Sequence, residues 1–434
     1  MIIKIVFEII VQGKSRKSSR ARDGKAGDSG LLAALFSSDP CRASIRSYNE
    51  YQMDRFRRYA LVLLLVCSNA EVLPSQDTIL QLTFAGDLMV HTANYLTSDY
   101  PEIYHSIAPL LQKDDLSFAN LEFPVDPSRA YSSYPRFNGS PEYLRAAVQA
   151  GVEVFSLANN HAFDQGRDGV FQTLRVLSNM GEQSRHRLYA GGIRGNLHEP
   201  FEPVEIRCRG VRIGFLAVCQ MVNVPMPHFY VHIVDYRNRR HRETFLPLIQ
   251  EIAPRYDLFI LSYHGGREYS RRPEEEKMVF FESLLEAGVD IIWAHHPHVV
   301  QPHRLVEREE GRGLIMPSTG NLISGMMIGV NPEEPNQDLA WTGDSALWLV
   351  SVRIQQDRAA VQRVSPVPIA NYRNGRGEIL IDTLPGVARR ALSEDWLEYY
   401  RERAALMHLT LWGAEDGAPY DAGRPPARIA LKDR

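Results

Sequence analysis

Six short apolar segments, each ending in side chains that can ligate a metal or carry a proton, constrain this chain more than any other feature. They are "TILQLTFAGD" ending at Asp87, "DLSFANLE" at Glu122, "VEVFSLANNH" at His161, "YDLFILSYHGG" around His264, "VDIIWAHHPH" at His296 and His298, and "GLIMPSTGN" at Asn321. Continuous apolar runs of this length predict strands buried on both faces.

Segments of helical spacing separate them. "EIYHSIAPLLQK", "GVFQTLRVLSNMG" and "EEEKMVFFESLLEAG" fit helices, and "SPEYLRAAVQAG" has Ser140 as N-cap, Pro141 at the first position and Gly151 as its stop. Strands alternating with amphipathic helices predict an α/β protein whose sheet is covered by helices on both faces. "PVEIRCRGVRIGFLAVCQ" reads as a hairpin, "SALWLVSVRI" and "AAVQRVSPV" as antiparallel edge strands, and "SEDWLEYYRERAALMHL" as a late amphipathic helix before a polar Pro/Gly tail. The expected organisation is residues 1–76 as an extension with a signal segment, 77–375 as the main domain, and 376–434 as helix and tail.

The 434 residues carry a net charge of -3, which hides an asymmetry. Up to Arg58 twelve Lys and Arg stand against six Asp and Glu, leaving 37 against 46 in the rest. An acidic body without a basic, aromatic-interleaved face excludes nucleic acid as the main partner. "MDRFRRYALVLLLVCSNAEVLPSQD" places Arg55, Arg57 and Arg58 before a short apolar run and the small residues Ser68, Asn69 and Ala70. This is the layout of a secretory signal over residues 53–70, with translation starting at Met53 and cleavage after Ala70; a core helix or lipidation at Cys67 are the alternatives. Export implies an extracytoplasmic protein. Cys208 and Cys219 sit at offsets of the hairpin that do not face each other, which predicts free thiols.

In an open α/β sheet, ligands bind beyond the carboxyl ends of the strands. One polar residue there is ordinarily a cap or a turn. Six such endings, three of them with imidazoles, are not explained by capping. A cluster of divalent cations satisfies the imidazoles and compensates the buried carboxylates.

"FAGDLMVH", "NLEFPV", "SLANNHAFDQG", "HGGREY", "HHPHVVQ" and "STGN" together resemble the CapA (poly-γ-glutamate capsule synthesis) branch of the calcineurin-like metallophosphatases, over roughly residues 80 to 330. The resemblance implies a four-layer αββα sandwich holding two divalent ions of Mn, Fe or Zn. It implies Asp87 and His298 on the first ion, Glu122 bridging, and Asn160, His264 and His296 on the second. His295 is left behind the ligands or exposed. His161 faces the leaving group; Asp164 either orients it or caps the next helix. Glu268 and Tyr269 match the family's "EY" and either line the pocket or serve as a surface ion pair and a core tyrosine.

Two departures stand out. Met89 occupies the place of the superfamily's second histidine, so either His91 substitutes or the first site is weak. Gly265 replaces the tryptophan of "HWG", which predicts a more open pocket. Two functions follow. One is an extracytoplasmic metal-dependent hydrolase acting on a phosphoester or on the amide links of a cell-surface polymer. The other is a non-hydrolytic accessory protein that binds such a polymer beside membrane-bound capsule synthesis machinery.

Overall fold

The computed structural model describes residues 77–412, apart from 185–186, 197, 227–229, 310, 335, 357 and 391–392. The expected signal segment, with Cys67 and Ala70, and the tail after Trp412 lie outside the described residues. In chain order the strands are β1 (Thr78–Leu88), β2 (Leu116–Leu121), β3 (Val154–Ser156), β4 (Tyr189–Gly191), β5 (Val204–Cys208), β6 (Val211–Cys219) and β7 (Leu258–His264). They continue as β8 (Ile291–His295), β9 (Arg304–Val306), β10 (Gly313–Met316), β11 (Asn321–Ile323), β12 (Asp344–Gln355), β13 (Arg358–Arg373) and β14 (Ile379–Thr383).

These strands make two sheets. The first runs β14-β13-β12-β1-β2-β3-β4, with β11 pairing the end of β1; the second runs β5-β6-β7-β8-β10-β9. β1 to β4 pair in parallel, as do β6, β7, β8 and β10, while β12 to β14 add an antiparallel flank. The parallel strands are the continuous apolar runs of the sequence. Both of their faces are covered, so alternation is not needed.

Strand pleat divides the second sheet's side chains between two layers. Phe215, Ile260 and Trp293 point to the first sheet; Leu216, Leu261 and Ile292 point to the helices Arg239–Ile252 and Glu275–Glu286. Phe118 meets Phe215 and Trp293 with ring centroids 5.9 and 6.0 Å apart, which locks the sheets face to face. The Trp293 indole N–H donates to the Ala85 carbonyl across the same interface at 2.9 Å. Helices over the far side of the first sheet, among them Tyr100–Tyr104 and Pro141–Ala150, bury Tyr104, Tyr143 and Leu144. The result is the four-layer αββα sandwich. The Ser140 hydroxyl caps the second of these helices by accepting from Tyr143 N. Among the described residues no helix is long and apolar enough to cross a membrane, and Cys208 and Cys219 are free thiols.

The C-terminal helix Glu394–Trp412 packs against β13 and the short helix Leu384–Arg389. Arg403, buried on this helix, donates from Nε to Asp344 Oδ2 at 2.6 Å. Its guanidinium lies 3.6 Å from the Trp341 ring centroid, and that of Arg271 lies 3.3 Å from the same centroid. Burial pushes the Asp344 carboxyl up to about 6 even with Arg403 opposing it. Arg403→Met leaves that buried acid without its countercharge, and breaking such a pair costs about 3–5 kcal/mol. Urea unfolding is expected to show a loss in that range; a loss below about 1 kcal/mol, the scale of exposed pairs, would show that the helix does not depend on this contact.

Candidate metal centre

The strand ends deliver the polar residues because the backbone there is held in forms that few residues tolerate. A Cβ at Gly86 would stand 1.9 Å from the Gly320 carbonyl oxygen, so only glycine lets β1 approach this neighbour. The contact is used: Asp87 N donates to Gly320 O at 2.9 Å. His296 and His298, in the turn after β8, have φ of 98° and 56°, and Tyr269 facing them has 60°. Non-glycine residues in this region carry strain that surrounding structure must offset, and such residues gather at functional sites.

Two groups of buried residues that could hold a metal ion result: Asp87 with His264 and His295, and Glu122 with His296 and His298, the potential donor atoms of each lying within 4.8 Å of one another. The groups share an edge. His264 Nε2 lies 3.6 Å from Glu122 Oε1 and 2.6 Å from Asn160 Oδ1. His298 Nδ1 lies 3.2 Å from Asp87 Oδ2 and 3.0 Å from Asn321 Oδ1, which leaves Nε2 turned towards Glu122 Oε1 at 3.8 Å. Asn120, part of the polar ending of its strand but without a role in the expected ligand set, donates to Asp87 Oδ1 at 2.8 Å and lies 3.5 Å from Glu122 Oε2. Its signal was position: two residues before Glu122, on the same side of β2.

The electrostatics of this set are those of a cation site. Burial acts to raise Asp87, but the hydrogen bond and charge of His298 outweigh it and hold the carboxyl below its ordinary value. Glu122 has no such partner, and burial, then the charge of Asp87, push it well above the carboxylate range. Burial brings His264 well below its ordinary value, and His295 and His296 to about 4 and 3. Neutral imidazole is the form that binds metal. Glu122 Oε1 and His296 Nδ1 are buried with no hydrogen-bond partner, and unpaired buried groups are rare because each costs about 1–3 kcal/mol. Mixed oxygen and imidazole donors with two such orphans fit divalent transition ions.

Beside the ligands stands a dyad. His161 Nδ1 lies 2.7 Å from Asp164 Oδ2, which also accepts from Phe137 N at 2.8 Å. Asp164 therefore orients the imidazole and does not cap the next helix, whose N-cap is Gln165. Asn223 Nδ2 lies 3.3 Å from His161 Nε2, and the Phe137 ring meets the imidazole edge-on at 4.6 Å. Neither Phe137 nor Asn223 was legible, since both sit on loops without periodicity.

Other expected residues land differently. His295 is fully buried, not exposed: its Nδ1 lies 2.7 Å from His264 Nδ1. His91 stays out of both groups, because its Nδ1 accepts from Gly325 N at 3.2 Å. Gly265 does not open the pocket, since Gln220 fills the space: a Cβ at Gly265 would lie 2.6 Å from that of Gln220. Glu268 and Tyr269 are at the rim, half-exposed, with Glu268 Oε1 4.0 Å from His296 Nε2 and the Tyr269 ring 6.4 Å from that of His298. Tyr269 is thus no core residue.

The sequence profile of the family described as bacterial capsule synthesis protein PGA_cap matches residues 81–326, more than half of the chain and all of the ligands above. The chain belongs to this family. Similar proteins include the capsule biosynthesis protein CapA of Bacillus anthracis, 24% identical over 67% of each chain. The PGA biosynthesis protein CapA of Bacillus subtilis is 24% identical over 68% of this chain and 72% of its own. Among solved structures, a hypothetical protein from Thermus thermophilus is similar with a TM-score of 0.39 and 15% identity, covering 66% of this chain and 98% of that one.

The loops of this PGA_cap centre are tied from beneath by Lys277, whose buried Nζ donates to the carbonyls of Gly265 at 2.7 Å and Pro317 at 2.9 Å. Burial pushes the amine down to about 7 from 10.5. Between those values the unfolded chain keeps a proton that the folded chain has released, so stability rises with pH; below about 7 both states are charged and the cost of burial is complete. Relative to Lys277→Met, wild type is expected to gain up to about 1.4 kcal/mol per pH unit from pH ~7.5 to 10 in denaturant midpoints converted to free energy. Parallel curves for the two proteins would refute this.

Proposed function

We propose that this protein is an extracytoplasmic metal-dependent hydrolase that cleaves a bond in a capsule or cell-surface polymer such as poly-γ-glutamate, either an amide or a phosphoester. The observation carrying this reading is a cluster of buried groups that could hold metal beside an oriented imidazole that the cluster does not need. Were two ions bound, Asp87 and His298 would hold one and Asn160, His264 and His296 the other, with Glu122 near both. Bound divalent ions supply Lewis acidity, which polarises the scissile group and makes water nucleophilic near neutral pH.

This chain's own residues do the rest. Asp164 Oδ2 accepts from Nδ1 of His161, which fixes the imidazole with Nε2 towards Asn223. A proton held at Nε2 is delivered to the leaving atom, a role that typically contributes ~10²–10⁴-fold. Asn223 Nδ2 lies 3.3 Å from Nε2, beside the proton to be delivered. The Phe137 ring excludes water from one side of the imidazole, and Glu268 and Tyr269 receive the substrate at the rim. Export is supported by the basic head, apolar run and small-residue exit between Met53 and Asp77, and by relatives that carry capsule biosynthesis in their names.

One observation favours the non-hydrolytic accessory reading. Met89, buried among apolar side chains, takes the place of an imidazole, and His91 has its Nδ1 committed to Gly325. A weak first site would leave a carboxylate clamp for a polymer. The two readings part at His161. For a hydrolase, His161→Ala keeps its metal and fold and loses ~10²–10⁴-fold in turnover, while His298→Ala loses metal as well. Metal content, hydrolysis of γ-glutamyl polymer and phosphoesters with Mn²⁺, and polymer retention are measured on all three proteins. Wild type that retains polymer only with metal, and hydrolyses none of these, would leave the accessory reading standing.

A further inference from the structure

Behind His264 a chain of hydrogen-bonding groups runs away from Asn160 and Glu122 and across to the other sheet. His264 Nδ1 lies 2.7 Å from His295 Nδ1, His295 Nε2 lies 2.8 Å from Ser262 Oγ, and Ser262 Oγ lies 2.8 Å from Ser156 Oγ. All four residues are fully buried. β7 and β8 pair with His264 opposite His295, while Ser156 belongs to β3 of the first sheet. The Trp293 ring, 5.0 Å from that of His295, walls the chain on one side.

Two imidazole nitrogens at 2.7 Å cannot both present lone pairs; one carries a proton for the other. If His295 Nδ1 carried it, His264 would hold its own proton on Nε2, facing Asn160 and Glu122, and could not bind a cation there. The opposite polarity frees Nε2; the Asn120 amide, 3.3 Å from His264 Nδ1, then directs its two N–H groups to Asp87 and Glu122. His264 Nδ1–H donates to His295 Nδ1, His295 Nε2–H donates to Ser262 Oγ, and the Ser262 hydroxyl donates to Ser156 Oγ. Every group in the chain can both give and accept, so this order leaves none unpaired. We propose that His295 is a positioning residue rather than a ligand: with Ser262 and Ser156 it fixes the tautomer of His264 so that Nε2 presents its lone pair to the metal. This rests on the reading of His264 as a metal ligand through Nε2. Partners of this kind behind a ligating histidine typically contribute 10–100-fold to metal affinity.

The test uses Zn²⁺ as the probe on the full chain, with affinity measured by competition against a chromophoric chelator. His295→Ala is expected to weaken uptake by about 10–100-fold while keeping wild-type stoichiometry at saturating Zn²⁺. His295→Gln, whose side-chain oxygen can accept from Nδ1–H, is expected to recover part of the loss, and Ser262→Ala to show a smaller loss. On Zn²⁺-loaded wild type, long-range ¹H–¹⁵N spectra of the histidines are expected to show His264 protonated at Nδ1 and His295 at Nε2; this arm needs no variant. Folded His295→Ala with wild-type affinity overturns the proposal. So does a missing equivalent at saturation, which would make His295 a ligand, and so does a proton on His264 Nε2. Wild type that takes up no Zn²⁺ would instead overturn the reading of His264 as a ligand.

Discussion

Two carboxylates and four imidazoles are buried together where the strands end, and their mutual compensation is the constraint on which the rest of the structure depends. Asp87 is compensated by His298 and Asn120 within the protein. Glu122 is not: it is fully buried near Asp87 with one oxygen unpaired. An isolated buried carboxylate is too costly to keep without a partner, and it neutralises or takes a cation. A divalent cation beside Glu122 and the neutral imidazoles of His264 and His296 would turn that cost into binding.

The fold makes this arrangement by keeping the expensive part at one rim and the apolar part elsewhere. Phe118, Phe215 and Trp293 hold the sheets together below the ligands. Gly86 allows β1 to meet Gly320, which brings Asp87 within reach of residues delivered by β2, β7 and β8. Lys277 and the strained backbone at Tyr269, His296 and His298 set the loops above. The scaffold therefore supplies the free energy that a strained, polar rim consumes. Specific chemistry comes from the rim residues, not from the sandwich itself.

Much of this was legible from periodicity. The parallel strands appear as apolar runs because both of their faces are covered, and their polar ends mark one edge of the sheets. What escaped was whatever depends on contact between distant segments. Asn120 stands in a polar strand ending, but only the pairing of β1 with β2 brings it to donate to Asp87. His295 follows the strand's apolar run, which leaves open a place behind the ligands or at the surface; only the pairing of β7 with β8, which sets it opposite His264, decides for the first. Gly265 suggested an open pocket because a missing side chain says nothing about the neighbour that fills its space, here Gln220. Asp164 could cap a helix or orient an imidazole, and the register of a loop decided it.

We propose that these residues form one site for two cations with Glu122 between them. Electron paramagnetic resonance of protein loaded with Mn²⁺, with elemental analysis of the same sample, tests it most directly. A shared site takes up about two Mn²⁺ per chain and gives a spin-coupled signal, with Glu122→Gln removing the coupling and lowering the metal content. Uncoupled Mn²⁺ at one or fewer equivalents, unchanged in Glu122→Gln, would contradict it.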